Sequence, residues 1–305
     1  MSDVLRLGTR ASALARWQAD WVASRLRRAG IGVEMVLITT QGDHRDEPLG
    51  SMGGQGVFTK EIQRALLDDR IDLAVHSLKD LPTDPIDGLD VAAVPRRESV
   101  ADVLVSREAL RFDALADGAV IGTGSLRRQA QLLHARGDLN VRDIRGNVET
   151  RLRRLGEGSY DAIVLAEAGL KRLGLTARVT EVLSPSWMLP AIGQGALGLE
   201  TRVADRVTAE RLACLDDPES HASVMAERSL LIALQGGCLA PIGAWGRVTE
   251  GALRLDAAVL DPRGATRLSA CVFGSTEQAE ELGREAARQL LDQGAEDLIA
   301  AARKA

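Results

Sequence analysis

The three cysteines are the first candidates for chemistry, because a thiolate is a strong nucleophile. Cys238 lies in the segment Gly-Gly-Cys-Leu-Ala-Pro, where the two preceding glycines favour an accessible thiol that could act as a nucleophile. The alternative is a small buried side chain, which is the commoner role of a single cysteine. Cys214 and Cys271 lie in helical and strand patterns and are predicted to be core residues. The wide spacing, without any C-x-x-C pair, favours neither disulfides nor a zinc site.

A second candidate is the carboxylate of Asp80, in the segment His-Ser-Leu-Lys-Asp-Leu-Pro that begins at His76. The segment follows a predicted buried strand, and Lys79 places a cation beside the carboxylate. Asp80 is therefore a candidate acid, base or cation-stabilising group. The alternative is a solvated Lys-Asp pair on a loop, which is more common. His76 is better explained as a structural histidine, and the four histidines suggest no metal cluster.

The segment 121–128 reads Ile-Gly-Thr-Gly-Ser-Leu-Arg-Arg and runs from a predicted strand through glycines into a helix. Backbone N–H groups at a helix start attract anions, and Arg127 with Arg128 could bind a carboxylate or phosphate through paired hydrogen bonds. A dinucleotide fingerprint would need glycine at the position of Arg127, and the sequence contains no P-loop motif. The turn is therefore predicted to bind an anion, with a solvated surface pair as the alternative.

Polar and basic residues recur where other predicted strands end. Each of them alone is more often a solvated surface group, but open α/β sheets bind ligands at the carboxyl ends of their strands. Their repetition indicates a ligand with several carboxylates rather than a single phosphate. The residues are Arg10 and Ser12 after the first strand, Arg145, Asn147 and Arg151 farther along, and Lys171 with Arg172.

The charge of the chain is unevenly distributed. The 305 residues carry a formal net charge of -5, which argues against general binding of polyanions. Between Arg127 and Arg178, however, eleven Lys and Arg stand against six Asp and Glu, which indicates a local anion site. The first residues lack the basic and apolar regions of a signal peptide, and no apolar run would span a bilayer, so we expect a cytoplasmic protein.

Alternating strand and helix patterns predict two similar α/β units with mainly parallel sheets, followed by a smaller α+β domain. The predicted helices begin near Ser12, Phe58, Ser125, Asn147, Glu167, Ser220 and Thr276; the predicted strands are 33–39, 71–75, 119–121, 141–144, 162–165, 240–248, 253–260 and 268–273. The expected domains are 1–95 with 195–215, then 96–194, then 216–305. Segment 187–200 should cross between two lobes that flank a ligand cleft.

Five separated segments together resemble the porphobilinogen deaminase family in order and spacing along essentially the whole chain. They are Thr-Arg-Ala-Ser at 9–12, His-Ser-Leu-Lys-Asp-Leu-Pro at 76–82, Gly-Thr-Gly-Ser-Leu-Arg-Arg-Gln at 122–129, Arg-Gly-Asn at 145–147, and Gly-Gly-Cys at 236–238. The resemblance implies two periplasmic-binding-protein-like α/β lobes around a cleft, with a C-terminal α+β domain that carries the cofactor cysteine. It also implies a monomeric transferase of porphyrin and heme biosynthesis.

What the family implies attaches to particular residues. Cys238 would hold a dipyrromethane cofactor through a thioether, and Asp80 would be the catalytic aspartate. Four porphobilinogen units would be added, each losing ammonia, before hydrolysis releases a linear tetrapyrrole. The implied cofactor contacts are Arg10, Ser12, Lys79, Asp80, Thr123, Ser125, Arg127, Arg128, Arg145 and Gly146. The implied substrate contacts are Arg10, Ser12, Arg145, Arg151, Arg172 and Gln194.

One position departs from the family pattern. Gln55 stands where many members carry a lysine, so we expect the glycine-rich loop from Asp43 to Gly56 to be a lid that contacts substrate carboxylates more weakly. Two other classes of protein remain as alternatives. A two-lobed anion-binding protein would carry no covalent modification. A nucleic-acid-binding module fits poorly with 3% aromatic residues and a negative net charge.

Overall fold

The computed structural model describes residues 4–38, 59–236 and 240–304. The chain divides into two compact units, Met1–Glu98 with Gly195–His221, and Ser99–Gln194 with Ala222–Ala305. In the described part of the chain, no helix is long and apolar enough to cross a membrane.

The strands and helices follow one another in the order that the sequence patterns predict, with several additions. The strands are β1 Val4–Thr9, β2 Gly32–Leu37, β3 Leu73–Ser77, β4 Leu89–Ala93, β5 Asp102–Ser106, β6 Val120–Gly122, β7 Asn140–Arg142, β8 Ala162–Ala166, β9 Glu181–Leu183, β10 Leu197–Arg202, β11 Ile242–Thr249, β12 Ala252–Leu260 and β13 Arg267–Gly274. The helices are α1 Ala13–Arg28, α2 Lys60–Leu67, α3 Leu126–Ala135, α4 Val148–Gly156, α5 Glu167–Arg172, α6 Arg206–Leu212, α7 Pro218–Ala233, α8 Ala279–Asp292 and α9 Ala295–Lys304.

The first unit contains a five-stranded sheet in the order β2-β1-β3-β10-β4. Strand β1 is parallel to β2 and β3, whereas β10 is antiparallel to both β3 and β4. Leu7 and Leu73 pack with Leu26 of α1, while Ile71 and Ala74 pack with Leu66 of α2. Both faces of this sheet are therefore covered by helices, which explains its continuous apolar strands.

The five-stranded sheet of the second unit repeats this plan, in the order β7-β6-β8-β5-β9. Strand β6 is parallel to β7 and β8, and β5 is antiparallel to its neighbours β8 and β9. Leu104 packs with Leu132 of α3, and Val103 packs with Leu152 of α4. Successive side chains of β5 therefore point to opposite faces of the sheet and pack in different hydrophobic clusters, as expected for a strand.

The second unit also contains an antiparallel sheet in the order β11-β12-β13. Leu255 of this sheet shares a buried cluster with Leu230 of α7, Leu290 of α8 and Ile299 of α9. Two α/β arrangements and a smaller α+β arrangement are therefore present, which confirms the predicted fold class.

The predicted mainly parallel character of the two sheets is confirmed, since each five-stranded sheet contains a single antiparallel strand, β10 in the first and β5 in the second. Two details of the prediction were wrong. Strand β3 begins at Leu73 rather than Ile71, since the amide of Ile71 still bonds the carbonyl of Ala65 in α2. The closing helix is two helices, because Gly294 adopts a φ of +94° between α8 and α9.

The amino end of β3 is held by an ion-pair network around Asp72. Arg6 donates from Nη2 to Asp72 Oδ1 over 2.6 Å and from Nε to Oδ2 over 3.0 Å, and Arg202 Nη2 lies 3.2 Å from Oδ1. Burial alone would raise the pKa of the Asp72 carboxyl, but the hydrogen bonds from Arg6 and Arg202 outweigh burial and lower that pKa. Asp72 therefore joins β1, β3 and β10 in its ionised form.

We expect Asp72→Asn to lower the free energy of unfolding at neutral pH by about 1–3 kcal/mol, because hydrogen bonds to an ionised group are lost. The folded carboxyl has the lower pKa, so its stabilisation is present above the unfolded value of about 3.9 and is lost as the pH falls below it. Urea unfolding at neutral and at acid pH measures this difference. On acidification, the free energy of unfolding should fall less in the variant than in the wild type. Equal losses would contradict this assignment.

Candidate functional site

Four of the predicted site residues lie at one edge of the first sheet. Arg10 and Ser12 follow β1, and Lys79 with Asp80 forms a 3-10 turn directly after β3. Because β1 and β3 are parallel neighbours, these residues leave the sheet at the same edge. Lys79 and Asp80 are exposed, as a role in binding or proton transfer requires.

Local hydrogen bonds fix this edge. The hydroxyl of Ser12 accepts from the amide of Ala15 and caps α1, as the sequence predicts for a helix start. Gln18 of α1 donates from Nε2 to Ser77 Oγ over 2.8 Å. The end of β3, two residues before Lys79, is thus tied to the helix that begins beside Arg10.

His76 is a buried structural residue, as predicted. Its Nε2 lies 2.9 Å from Oε2 of Glu200 on β10, and Gln63 of α2 donates to the other carboxylate oxygen over 2.9 Å. All three side chains are buried. They join β3, β10 and α2 beneath the turn that carries Asp80.

In the second unit, the remaining described candidates follow the parallel strands β6, β7 and β8, except Gln194, which follows β9. Thr123 and Ser125 lie in the turn after β6, where Ser125 caps α3 by accepting from the amide of Arg128. The turn after β7 packs against this segment. A Cβ on Gly124 would lie 3.0 Å from the carbonyl of Ile144 and 3.7 Å from Cζ of Arg145. A larger residue at this position would therefore push the two turns slightly apart.

Arg145, Gly146 and Arg151 form a compact second turn. Arg145 donates from Nε to Asp143 Oδ2 over 2.7 Å and remains partly exposed, and Arg151 donates from Nε to the carbonyl of Gly146 over 2.8 Å. Asn147 caps α4 through the amide of Thr150, as predicted. Arg172 is buried at the end of α5, after β8.

The paired arginines at the start of α3 are buried rather than presented on the surface. Arg127 is 4% exposed and Arg128 is 6% exposed, and both bind the carboxylate of Asp102, which is fully buried. Arg127 Nη1 donates to Oδ2 over 2.8 Å, while Arg128 donates from Nη2 over 2.7 Å and from Nε over 3.0 Å to Oδ1. The alternative of a solvated surface pair is therefore wrong.

Two further contacts complete this cluster. Gln194 donates from Nε2 to Asp102 Oδ1 over 2.9 Å and to the carbonyl of Val100 over 2.7 Å. Burial alone would raise the pKa of Asp102, but the charges and hydrogen bonds of Arg127 and Arg128 hold it far below its ordinary value. We call Asp102, Arg127, Arg128 and Gln194 the arginine cluster. With one carboxylate and two guanidinium groups, it carries one surplus positive charge.

Sequence reasoning missed Asp102. Its signal was a lone acidic residue in the otherwise apolar run Val-Ala-Asp-Val-Leu-Val at 100–105, because a buried carboxylate needs cationic partners. Those partners lie 25 and 26 residues away along the chain, so only the fold identifies them.

Cys238, Gln55 and the loop from Asp43 to Gly56 lie outside the described residues. The prediction that Cys214 and Cys271 are core residues was wrong, since both are exposed. Cys214 follows α6 in a 3-10 segment, and Cys271 lies on β13 beside Asp256. Although the residue is exposed, partial burial of its thiol and the neighbouring Asp256 carboxylate raise the pKa of Cys271, which disfavours the reactive thiolate form.

Gly146 offers a test of the turn after β7. Its φ is +104°, and an added Cβ would lie 2.7 Å from Cγ2 of Thr150. We expect Gly146→Ala to lower the free energy of unfolding by about 1–3 kcal/mol, because of backbone strain and this clash. Gly156→Ala is the control, since a Cβ there meets nothing within 4 Å. It should be neutral or stabilise α4 by about 0.5–1 kcal/mol. Chemical denaturation of both variants compares them, and equal effects would contradict the strained geometry.

Two family models match the chain. One is described as "Porphobilinogen deaminase, dipyromethane cofactor binding domain" and matches residues 5–210. The other is described as "Porphobilinogen deaminase, C-terminal domain" and matches residues 221–292. Together they include both five-stranded sheets and the greater part of the C-terminal α+β arrangement.

Solved structures with similar folds include the methionine-binding protein MetQ, with a TM-score of 0.42 and 13% identity over 70% of this chain and 88% of that chain. The VFT2 domain of Bordetella pertussis BvgS has a TM-score of 0.43 and 16% identity over 70% of this chain and 86% of that chain.

Curated relatives match along nearly the full length. A protein of Pelobacter propionicus named porphobilinogen deaminase is 49% identical over 97% of this chain and 96% of its own length. A protein of the same name from Acidothermus cellulolyticus is 48% identical over 98% of this chain and 92% of its own length. With this identity and two matching family models, the chain belongs to the porphobilinogen deaminase family.

Proposed function

We propose that this chain is a transferase that polymerises four porphobilinogen molecules head to tail on a covalently bound dipyrromethane primer. Each addition breaks the bond between the substrate's aminomethyl carbon and its nitrogen, releases ammonia, and forms a carbon–carbon bond to the growing chain. Hydrolysis then releases the linear tetrapyrrole hydroxymethylbilane. The observation that carries this proposal is the arginine cluster with its one surplus charge, in a chain whose family model is a dipyrromethane cofactor binding domain.

The residues of the second unit fit a ligand with carboxylate groups. The amino end of α3 contributes a favourable helix dipole, and two guanidinium groups share a single carboxylate there. Nε of Arg127 is buried and has no hydrogen-bond partner among the described residues. Since guanidinium groups suit carboxylates, the acetate and propionate groups of pyrrole units match this chemistry.

The dipyrromethane group supplies the pyrrole to which the first substrate is joined. We propose Cys238 as its attachment point, through a thioether. Support comes from the match of the Gly-Gly-Cys segment to the family pattern and from the other two cysteines. Sγ of Cys214 donates to the carbonyl of Arg211 over 3.2 Å, and partial burial with the Asp256 carboxylate raises the pKa of the Cys271 thiol, so neither is favoured as a free thiolate.

Asp80 is proposed as the catalytic residue. Departure of ammonia leaves a cationic substrate, and a carboxylate near the ring nitrogens would stabilise that charge. The same carboxylate could accept the proton that the attacking pyrrole loses. The exposed position of Asp80 directly after β3, beside Lys79 and at the edge that carries Arg10, supports this role.

The basic residues are proposed as anchors for successive pyrrole units, because each unit adds two carboxylates as the chain grows. Arg10, Ser12, Lys79, Asp80, Thr123, Ser125, Arg127, Arg128, Arg145 and Gly146 are proposed to contact the cofactor, and Arg10, Ser12, Arg145, Arg151, Arg172 and Gln194 the substrate. For Arg127, Arg128 and Gln194 this role is shared with binding Asp102.

We also propose three domains, with bounds 1–95 and 195–215, 96–194, and 216–305. The support is that each contains one of the three sheets. A monomeric state in the cytoplasm is proposed on the family resemblance.

Intact mass of the denatured protein tests the tether. We expect wild-type protein, Cys214→Ser and Cys271→Ser to carry the added mass of one dipyrromethane, and Cys238→Ser to have the mass of the bare sequence. The two control variants replace thiols that are exposed. Active wild-type enzyme without added mass, or a Cys238→Ser protein that retains it, would contradict the proposed attachment.

Turnover measurements test Asp80. We expect Asp80→Asn to retain the fold and the bound cofactor but to lose about 100-fold or more in kcat, since a neutral amide neither stabilises the cation nor takes up a proton. Asp87→Asn, an exposed carboxylate seven residues along the chain, should keep normal turnover. Near-normal kcat for Asp80→Asn would remove Asp80 from the reaction.

A further inference from the structure

We propose that Asp102 is a positioning residue for cofactor loading, acting through Arg127 and Arg128 rather than touching the cofactor. The inference rests on the proposed function and adds to it a buried carboxylate that determines how the two guanidinium groups meet a pyrrole carboxylate. Asp102 is 0% exposed, and both of its oxygens are occupied by cationic or amide donors.

Asp102 lies at the start of β5, close to the ends of two neighbouring strands. It is the first residue of β5, paired with Ala166 at the end of β8 and with Leu183 of β9. Because β5 is antiparallel to β8, the start of β5 lies at the edge where the parallel strands end. That is the edge at which the chain leaves β6 towards Thr123 and leaves β7 towards Arg145.

The charge of the cluster depends on Asp102. Arg127 and Arg128 are the second and third residues of α3, and the first turn of that helix contains no acidic residue. Two cations at a helix amino end oppose the helix dipole and, when buried, cost further free energy. Asp102 neutralises one of the two charges, and the other remains to attract an anion. One surplus charge matches one carboxylate of the ligand.

The orientation of the guanidinium groups also depends on Asp102. Each has a second anchor on the backbone, since Arg127 Nη1 donates to the carbonyl of Leu189 over 2.6 Å and Arg128 Nη1 to that of Val164 over 3.0 Å. The side chain of Gln131 on α3 binds the backbone of the same Leu189 twice: its Oε1 accepts from the Leu189 amide, and its Nε2 donates to the Leu189 carbonyl. Asp102 lies between the two guanidinium groups and fixes the orientation of each. Without its carboxylate, only the two backbone carbonyl groups would orient them.

The experiment measures cofactor loading and stability separately. The variants are Asp102→Asn, which removes the charge, and Asp102→Glu, which keeps the charge but moves it by one methylene. Asp72→Asn is the matched control, because Asp72 is also a carboxylate between two arginines, Arg6 and Arg202, but in the other unit. For each folded protein, intact mass gives the fraction that carries dipyrromethane after incubation with porphobilinogen, and thermal unfolding gives the Tm.

We expect Asp72→Asn to have a lowered Tm and wild-type loading. Asp102→Glu should fold and load to less than roughly half of the wild-type fraction, and Asp102→Asn should load least, because both the charge balance and the geometry are lost. If Asp102→Asn does not fold, the comparison of Asp102→Glu with Asp72→Asn decides.

Two results would overturn the positioning role and leave Asp102 with a purely structural one. One is a fraction of cofactor-bearing protein that falls in proportion to Tm in all three variants, and the other is full loading of Asp102→Glu. A wild-type protein that never carries the added mass would instead overturn the proposed function together with this inference. The two failures therefore give different results in the same measurement.

Discussion

The second unit depends on a single buried carboxylate shared by two arginines. Asp102 holds Arg127 and Arg128 at the start of α3, accepts from Gln194, and thereby joins β5, α3 and the segment after β9. Two guanidinium groups buried without an anion would be strongly destabilising, and an anion buried without them would be as costly. The cluster resolves both problems and retains one surplus positive charge.

The repeated sheet plan places the remaining functional groups. In each five-stranded sheet, the second strand in the order is parallel to both neighbours, and the turns that follow these parallel strands carry most of the candidate residues. Helix starts at these turns are capped by Ser12, Ser125 and Asn147, so the backbone is fixed within a few residues of each candidate contact. Rigid strands and capped helices thus hold flexible side chains at defined places.

Local features of the sequence predicted much of this arrangement. Cap residues such as Ser125 act within three residues, and the apolar runs of β6 and β8 are short enough to identify directly. Features that depend on distant partners were missed. Asp102 needs arginines from α3, the antiparallel strands β5 and β10 are inserted from other parts of the chain, and the exposure of Cys271 depends on which face of β13 is covered.

The fold, the arginine cluster and the family together describe an enzyme that keeps a primer and lengthens it. We propose that its growing chain stays covalently attached to the protein while units are added one at a time. The most direct test is intact mass of the wild-type protein after mixing with limiting porphobilinogen. We predict a series of species above the cofactor-bearing mass, each heavier by one porphobilinogen less ammonia and ending at four additions. Product formation with only the cofactor-bearing mass present throughout would contradict the claim.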